Sequence, residues 1–512
     1  MENQAVSSCN IVEEGTLRSD DAFPISSGVQ GLDFVLRGGY AKYRSHLIEG
    51  RPGSGKTTLG LQFLVAGAAG GEKCLYITLS ESKRELLSVA ARHGIALDGI
   101  HILELVPPEL SLDPAQLQTL VHSSDLELGE TVQSALAEME RLKPERVVFD
   151  SLSEIRLLSQ GSLRYRRQVL ALKSFFLLNN ATVLLLDDLT AEHDDLNLHS
   201  ISHGVIRMEQ LSPTYGGERR RLRVIKMRGV QIRGGFHDFV IRPGGVTVFP
   251  RLVAGDHEPG EPSGGPALSG SAVDTLLGGG LSRGTSTLLI GPSGVGKSTV
   301  ASTFCRAALL RGESVLVLLF DETKRIFLTR AAGLGLELQP FLDEGLLIVE
   351  KVEPAELSPG ELSSRIQAAV DKSNARMVVV DSLTGYLNAL SEEQHLVLQM
   401  HEILTYLNQK GVVTILLLAN HGLIGQMSVP VDMTYLCDCV MLLRFFESGG
   451  RLRRAISVVK RRVGPHEDTI REFQIASSGL VVGEPLDGFQ GILTGIPSYV
   501  GKQTDLLDDN SQ

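Results

Sequence analysis

Gly50-Arg-Pro-Gly-Ser-Gly-Lys56-Thr57 places glycines, a lysine and a hydroxyl at the spacing G-x-x-x-x-G-K-[ST]. That pattern has one well-defined chemistry. Backbone N–H groups freed by Gly50, Gly53 and Gly55 turn inward onto phosphate oxygens, and a following helix N-terminus adds positive partial charge. Lys56 is the type of residue that reaches β/γ-phosphates, and Thr57 the type that offers a hydroxyl to Mg²⁺, with Ser54 and Thr58 completing the cradle of an ATP site. The flanks agree: apolar His46-Leu-Ile-Glu49 reads as a strand, and the run from Thr58 as a helix. The pattern then returns at Gly291-Pro-Ser-Gly-Val-Gly-Lys297-Ser298, with Ser293, Gly294, Val295, Gly296 and Thr299 in corresponding places.

Acids follow each loop. Arg146-Val-Val-Phe-Asp150-Ser-Leu and Met377-Val-Val-Val-Asp381-Ser-Leu are apolar strands closing on an aspartate. Each reads as the carboxylate that holds Mg²⁺ together with Thr57 or Ser298. Two further strands end in Ser80-Glu81-Ser82 and Asp321-Glu322-Thr323. Phosphoryl transfer needs charge neutralisation and an oriented nucleophile, and Glu81, Asp321 and Glu322 are placed to orient one. Positive charge at the γ-phosphate is the missing part. Lys226/Arg228 and Lys460/Arg462, each a Lys-x-Arg pair on a basic β-rich stretch, are expected to leave their strands on one face and to serve as fingers from a neighbouring subunit.

The elements that position these residues occur twice. Asp33 and Asp274, Gly50 and Gly291, and Lys56 and Lys297 all lie 241 positions apart (291 − 50), a spacing held over a long stretch, so a domain has been duplicated. Within each copy, continuous apolar strands alternate with helices, which implies a mainly parallel sheet covered on both faces. Thr182-Val-Leu-Leu-Leu-Asp187-Asp188 and Thr414-Ile-Leu-Leu-Leu-Ala-Asn420 read as one such strand in its two copies. Ligands of such sheets bind at the carboxyl ends of the strands, where Glu81, Asp150, Asp188 and their repeats are expected. The fold class is therefore α/β: two tandem P-loop NTPase domains, each a mainly parallel sheet flanked by helices. The organisation read from the chain is a polar arm over 1–22, a domain over 23–252, a Pro/Gly-rich linker over 253–266, a second domain over 267–500, and an acidic tail over 501–512.

Composition sets the limits. At 512 residues the chain is too long for one core. No apolar run approaches a membrane span, and the N-terminus shows no secretion signal. Five scattered cysteines suit a reducing cytoplasm, and Cys437-Asp-Cys439 reads as small strand residues rather than a metal pair. A net charge of −11 and the absence of tryptophan argue against nucleic acid as a main partner.

The Gly-Leu-Asp…Gly-Gly lead-in, the paired phosphate loops, Phe149-Asp-Ser-Leu, Lys226-Met-Arg-Gly, the closing stretch Ala455–Phe473 and Gly491-Ile-Leu-Thr-Gly-Ile-Pro together resemble the KaiC family, ATPases of the RecA superfamily. The resemblance covers roughly residues 23–500. It implies a double-ring homo-hexamer with ATP between subunits, a slow N-terminal ATPase, and a C-terminal half that also phosphorylates its own Ser and Thr side chains. It further implies that Lys226 and Arg228 act in trans at the N-terminal nucleotide, and Lys460, Arg462 and His466 at the C-terminal one. Three departures separate this chain from the family pattern of paired glutamates and a Ser-Thr acceptor pair: Ser80 replaces the first acid of the N-terminal copy, Asp321 shortens that of the C-terminal copy, and the acceptor pair keeps a threonine, Thr434, but holds Tyr435 as its second member. Thr434, with nearby Ser428, is the expected phosphoacceptor. Two other readings compete with an autokinase ATPase: a RecA-type DNA-dependent ATPase or recombinase, and an ATP-assembled scaffold read by signalling proteins.

Overall fold

The computed structural model describes residues 23–105, 124–159, 161–189, 196–213, 216–257, 265–389, 395–420, 432–477, 479–493 and 498–499. They form two compact units, one ending at Arg251 and one beginning at Leu252.

The N-terminal unit is built on nine strands: β1 (Ser45–Gly50), β2 (Cys74–Thr78), β3 (Ile100–Glu104), β4 (Arg146–Asp150), β5 (Thr182–Asp188), β6 (Gly204–Leu211), β7 (Arg219–Met227), β8 (His237–Arg242) and β9 (Gly245–Phe249). Their order in the sheet is β3-β2-β4-β5-β1-β6-β7-β8-β9. The strands from β3 to β6 in that order run parallel, and β7 to β9 turn back as antiparallel hairpins. The parallel strands read as unbroken apolar runs because both faces are covered. In β4, Val147 and Phe149 enter one core, with Leu172 and Phe176, while Val148 enters the other, with Leu59 and Phe63.

The C-terminal unit repeats this order with β10 (Ser286–Gly291), β11 (Val315–Leu319), β12 (Leu347–Lys351), β13 (Met377–Asp381), β14 (Val413–Ala419), β15 (Cys439–Ser448), β16 (Arg451–Arg461), β17 (Arg471–Ala476) and β18 (Gly479–Pro485). The two mostly parallel sheets with helices on both faces are the tandem α/β arrangement that the periodicity predicts, and the RecA-like one that the family resemblance implies.

Sheet register corrects one expectation. Ser45 pairs with Val183 and Gly50 with Asp188, whereas Ser286 pairs with Thr414 and Gly291 with Ala419. The repeat of Thr182 is thus Val413, not Thr414, and the repeat of Asp188 is Ala419, not Asn420. An all-apolar strand carries nothing by which the eye can fix its register, and a slip of one residue went unmarked. The carboxylate at Asp188 has no counterpart in the C-terminal unit.

The lead-in Asp33 and Asp274 are turn residues. Asp33 accepts hydrogen bonds from Ser26 Oγ (2.6 Å) and the Ser27 N–H (2.7 Å), and Asp274 from the N–H groups of Ser269 (2.7 Å) and Gly270 (3.0 Å). Among the described residues no helix is long and apolar enough to cross a membrane.

Candidate nucleotide sites

In both units the phosphate loop leaves the end of the strand that lies between two parallel partners and enters a 14-residue helix, Lys56–Ala69 or Lys297–Leu310. The turn requires glycine. Gly53 and Gly55 have φ of 81° and 99°, and Gly294 and Gly296 of 77° and 116°, a region that residues with a Cβ rarely enter. A Cβ on Gly50 would stand 2.6 Å from Ser54 Oγ. That hydroxyl is fully buried on the loop floor with no protein partner. In the C-terminal unit the same position is Val295, also fully buried.

The N-terminal site is rich in carboxylates. Lys56 Nζ donates to the Gly50 carbonyl (2.8 Å) and the Arg51 carbonyl (3.2 Å), and is ion-paired with Asp188 at 2.6 Å. Thr57 Oγ1 donates to Asp150 Oδ2 (3.0 Å), as does Tyr76 OH (2.5 Å). Burial pushes the Asp150 carboxyl up, opposed by these two hydroxyls and by Lys56. Glu81 is fixed by a tight turn in which Thr78 Oγ1 accepts from its N–H (3.0 Å) and donates to its carbonyl (2.7 Å). Glu81 Oε2 is buried with no protein donor, and burial, then the charge of Asp150, raises its carboxyl. Asp187, next to Asp188 in β5, is buried against Arg156 (3.1 Å) and Ser153 Oγ (3.2 Å).

The C-terminal site has a different charge pattern. Lys297 Nζ donates to the carbonyls of Gly291 (2.7 Å) and Pro292 (2.8 Å), and burial pushes its ammonium down to about 8 against the pull of Asp381. Burial raises Asp381, and a hydrogen bond from Ser298 opposes it. Glu322 accepts from Arg330 at 2.6 Å, and Asp321 accepts from Ser382 Oγ at 2.6 Å.

The Lys-x-Arg pairs lie elsewhere. Because β7 is antiparallel to β6, Lys226 and Met227 pair with Val205 and Gly204 at the start of β6, the sheet edge opposite the phosphate loop. Lys226 Nζ donates to the carbonyls of His199 (2.6 Å) and Ser202 (3.0 Å), and Arg228 to that of Ser200 (2.8 Å), so both cap the end of the helix Leu196–Ile201. In the C-terminal unit Lys460 Nζ donates to the carbonyls of Thr434 (2.8 Å) and Cys437 (2.9 Å), and Arg462 to that of Tyr435 (2.7 Å). Asp438 binds the N–H of Ser286 (2.9 Å), the first residue of β10, which puts Thr434 at that same edge. A six-residue strand separates this edge from the loop, roughly 20 Å. Thr434 Oγ1 donates to Asp432 (2.6 Å). His466 is exposed in the turn after β16. Ser428 lies outside the described residues. Cys437 and Cys439 are buried with thiols pushed up by burial, and no metal-binding cluster occurs among the described residues.

Sequence reasoning read the loops and the strand-end acids, Asp188 among them, but not Tyr76, Arg330 and Ser382, whose contacts depend on spatial neighbours that no motif marks. The residues present fit a nucleoside triphosphate with its cation: glycine-lined floors, an orphaned loop hydroxyl at Ser54, and a hydroxyl already aligned on a buried aspartate.

The fold and the paired loops define a tandem P-loop ATPase of RecA-like architecture. A family model described as "ATPase: KaiC" matches residues 25–253 and 271–487, and the chain belongs to that family. Over nearly its whole length it is similar to "Circadian clock protein KaiC3" of Synechocystis sp. (strain ATCC 27184 / PCC 6803 / Kazusa), 25% identical over 94% of this chain and 96% of the relative. "Circadian clock protein KaiC2" of the same organism is 26% identical over 92% and 83%. "Circadian clock oscillator protein KaiC" of Synechococcus elongatus (strain ATCC 33912 / PCC 7942 / FACHB-805) is 24% identical over 92% and 91%.

Proposed function

We propose that this chain is a Mg²⁺-dependent ATPase that works as a closed homo-hexameric ring, with each nucleotide completed by the adjacent subunit. The observation that carries this is the separation of parts within one unit. The cradle stands at one edge of the sheet, and the Lys-x-Arg pair stands at the other. Within one chain these cations cannot touch the phosphates they are suited to neutralise, whereas a neighbour stacked edge to edge can present them. Thr57 with Asp150, and Ser298 with Asp381, would hold Mg²⁺, which when bound neutralises charge developing on the phosphates. Lys56 and Lys297 bind the β/γ-phosphates. Glu81 in the N-terminal site, and Asp321 with Glu322 in the C-terminal one, orient the nucleophile. His466 reaches the C-terminal nucleotide from the neighbour along with Lys460 and Arg462.

Thr434 lies at the donor edge beside Lys460, so the C-terminal cradle of one chain would phosphorylate Thr434 of the next. The N-terminal ring is then the assembly and slow-hydrolysis half and the C-terminal ring the kinase half, a division suited to signalling or clock-like regulation through protein partners. A mixing experiment tests it. Lys297→Ala protein keeps the acceptor but loses the cradle, and Thr434→Ala protein has the reverse. Phosphate found by mass spectrometry on Thr434 only when the two are mixed with Mg-ATP is the expected result. Phosphate on neither protein in the mixture, with ATP still hydrolysed, removes the kinase part. Ultracentrifugation of Lys56→Ala protein shows in parallel whether the N-terminal site is needed for the ring.

A further inference from the structure

Glu154 has no role in any of the motifs above, yet the duplicated sheet allows its position to be read from the other unit. It is the fourth residue after Asp150, and the fourth residue after Asp381 is Gly385. A Cβ placed on Gly385 would lie 2.7 Å from Asp321 Oδ1 and 3.1 Å from Phe320 Cβ. The backbone at this position therefore runs directly beside the Asp321 carboxylate, two residues past the end of β11, and glycine leaves that carboxylate its space. In the N-terminal unit the pair is inverted. The residue matching Asp321 is Ser80, with no carboxylate, and the residue matching Gly385 is Glu154.

A second observation points to a lost acceptor. Ser382 Oγ donates to Asp321 at 2.6 Å. Its counterpart Ser151 is 1% exposed, and its hydroxyl has no partner. The ordinary reading of Ser151-Leu-Ser-Glu154 is a capping box, but Ser151 makes no side-chain cap bond. By contrast, the box at Ser82 and Glu85 in the same unit is fully formed. Burial raises the Glu154 carboxyl, and the charges of Asp188 and Asp150 add to the effect.

We propose that Glu154 is the second carboxylate of the N-terminal hydrolytic site, delivered from the helix Leu152–Leu158 in place of the acid that Ser80 lacks. With Glu81 it would hold the attacking water. The water oxygen bonds to the γ-phosphorus as the bond to the ADP oxygen breaks, and the water proton passes through a carboxylate to phosphate or solvent. The inference rests on the ATPase reading of this unit, and its test keeps the two apart.

The test uses full-length protein carrying Lys297→Ala, so that turnover reports the N-terminal site. Glu154→Gln should lower ATP turnover at least about tenfold, the scale on which an acid–base group acts. Affinity for ADP should be unchanged, while affinity for ADP with aluminium fluoride, a mimic of the transition state, should fall in step with the rate. Moving the acid, by Ser80→Asp together with Glu154→Gly, should restore turnover to within about threefold, which loss of a merely structural residue would not allow. Unchanged turnover in Glu154→Gln, with Lys56→Ala inactive in the same background, overturns the inference and leaves the ATPase reading standing. So does a loss that the relocated acid fails to recover while melting temperature falls. Turnover absent from the parent, or indifferent to Lys56→Ala, removes the ATPase reading and the inference with it.

Discussion

The two halves share a sheet order and a strand register, yet they treat the same lysine in opposite ways. Lys56 is paired with Asp188, whereas the strand end facing Lys297 is Ala419, and burial alone depresses its ammonium to about 8. The acids are distributed in reverse. Glu322 is held by Arg330, but the residue matching Arg330 is Val89, and Glu81 keeps a buried oxygen without a donor. Duplication preserved the scaffold that positions backbone N–H groups, and divergence acted on the charges around them. The cradle depends on φ angles that only glycine meets cheaply, while a charge at a strand end can change without disturbing the core. The N-terminal lysine must surrender the Asp188 carboxylate to bind phosphate, whereas Lys297 has only the carbonyls of Gly291 and Pro292 to release.

The contrast can be broken experimentally, and the largest effect is expected in acid. Burial pushes His46 and His237 of the N-terminal unit down to about 4, while Thr287, which does not titrate, takes the place of His46 in the C-terminal unit. Unfolding lets both histidines protonate near 6.5, so their contribution is fully present above that pH and lost as pH falls toward 4. Each histidine accounts for up to about 3 kcal/mol. Calorimetry between pH 7 and 4.5 should show the N-terminal transition falling more steeply than the C-terminal one. His46→Thr should flatten that dependence, and equal slopes in the two units would dissolve the distinction.

Next in size is the ion pair at Lys56. Asp188→Ala should tighten nucleotide binding at the N-terminal site about tenfold, since it removes both a competitor for the lysine and a charge that repels phosphate. Ala419→Asp should weaken the C-terminal site by a similar factor. Titration calorimetry measures both, and looser binding in Asp188→Ala would mean that the aspartate serves the nucleotide rather than competing with it. The smallest effect belongs to Arg330→Met. Loss of the partner that orients Glu322 should slow C-terminal turnover about threefold and leave N-terminal turnover alone. Equal slowing at both sites would place Arg330 in assembly instead.

Most of the architecture was legible in the chain because a phosphate loop, an apolar strand ending in aspartate and their repetition at one spacing are local patterns. What escaped was the register and whatever depends on it. Thr182 and Thr414 begin similar-looking strands, and only hydrogen bonding to the phosphate-loop strands shows that they are not equivalent. That single residue hid the fact that Asp188 is unmatched. Glu154 was inconspicuous for a related reason: in sequence it sits in a capping-box pattern, and the role proposed for it arises only when Gly385 is found against Asp321.

The opposite-edge placement of cradle and cation pair also has a consequence for how activity scales with amount. On the proposed trans arrangement, a solitary chain carries every part of both sites and can complete neither. Turnover per chain would be near zero when chains are dilute, climb steeply as they meet, and level off once each edge is covered. The fold would then count its own copies, converting a modest rise in abundance into a sharp rise in output.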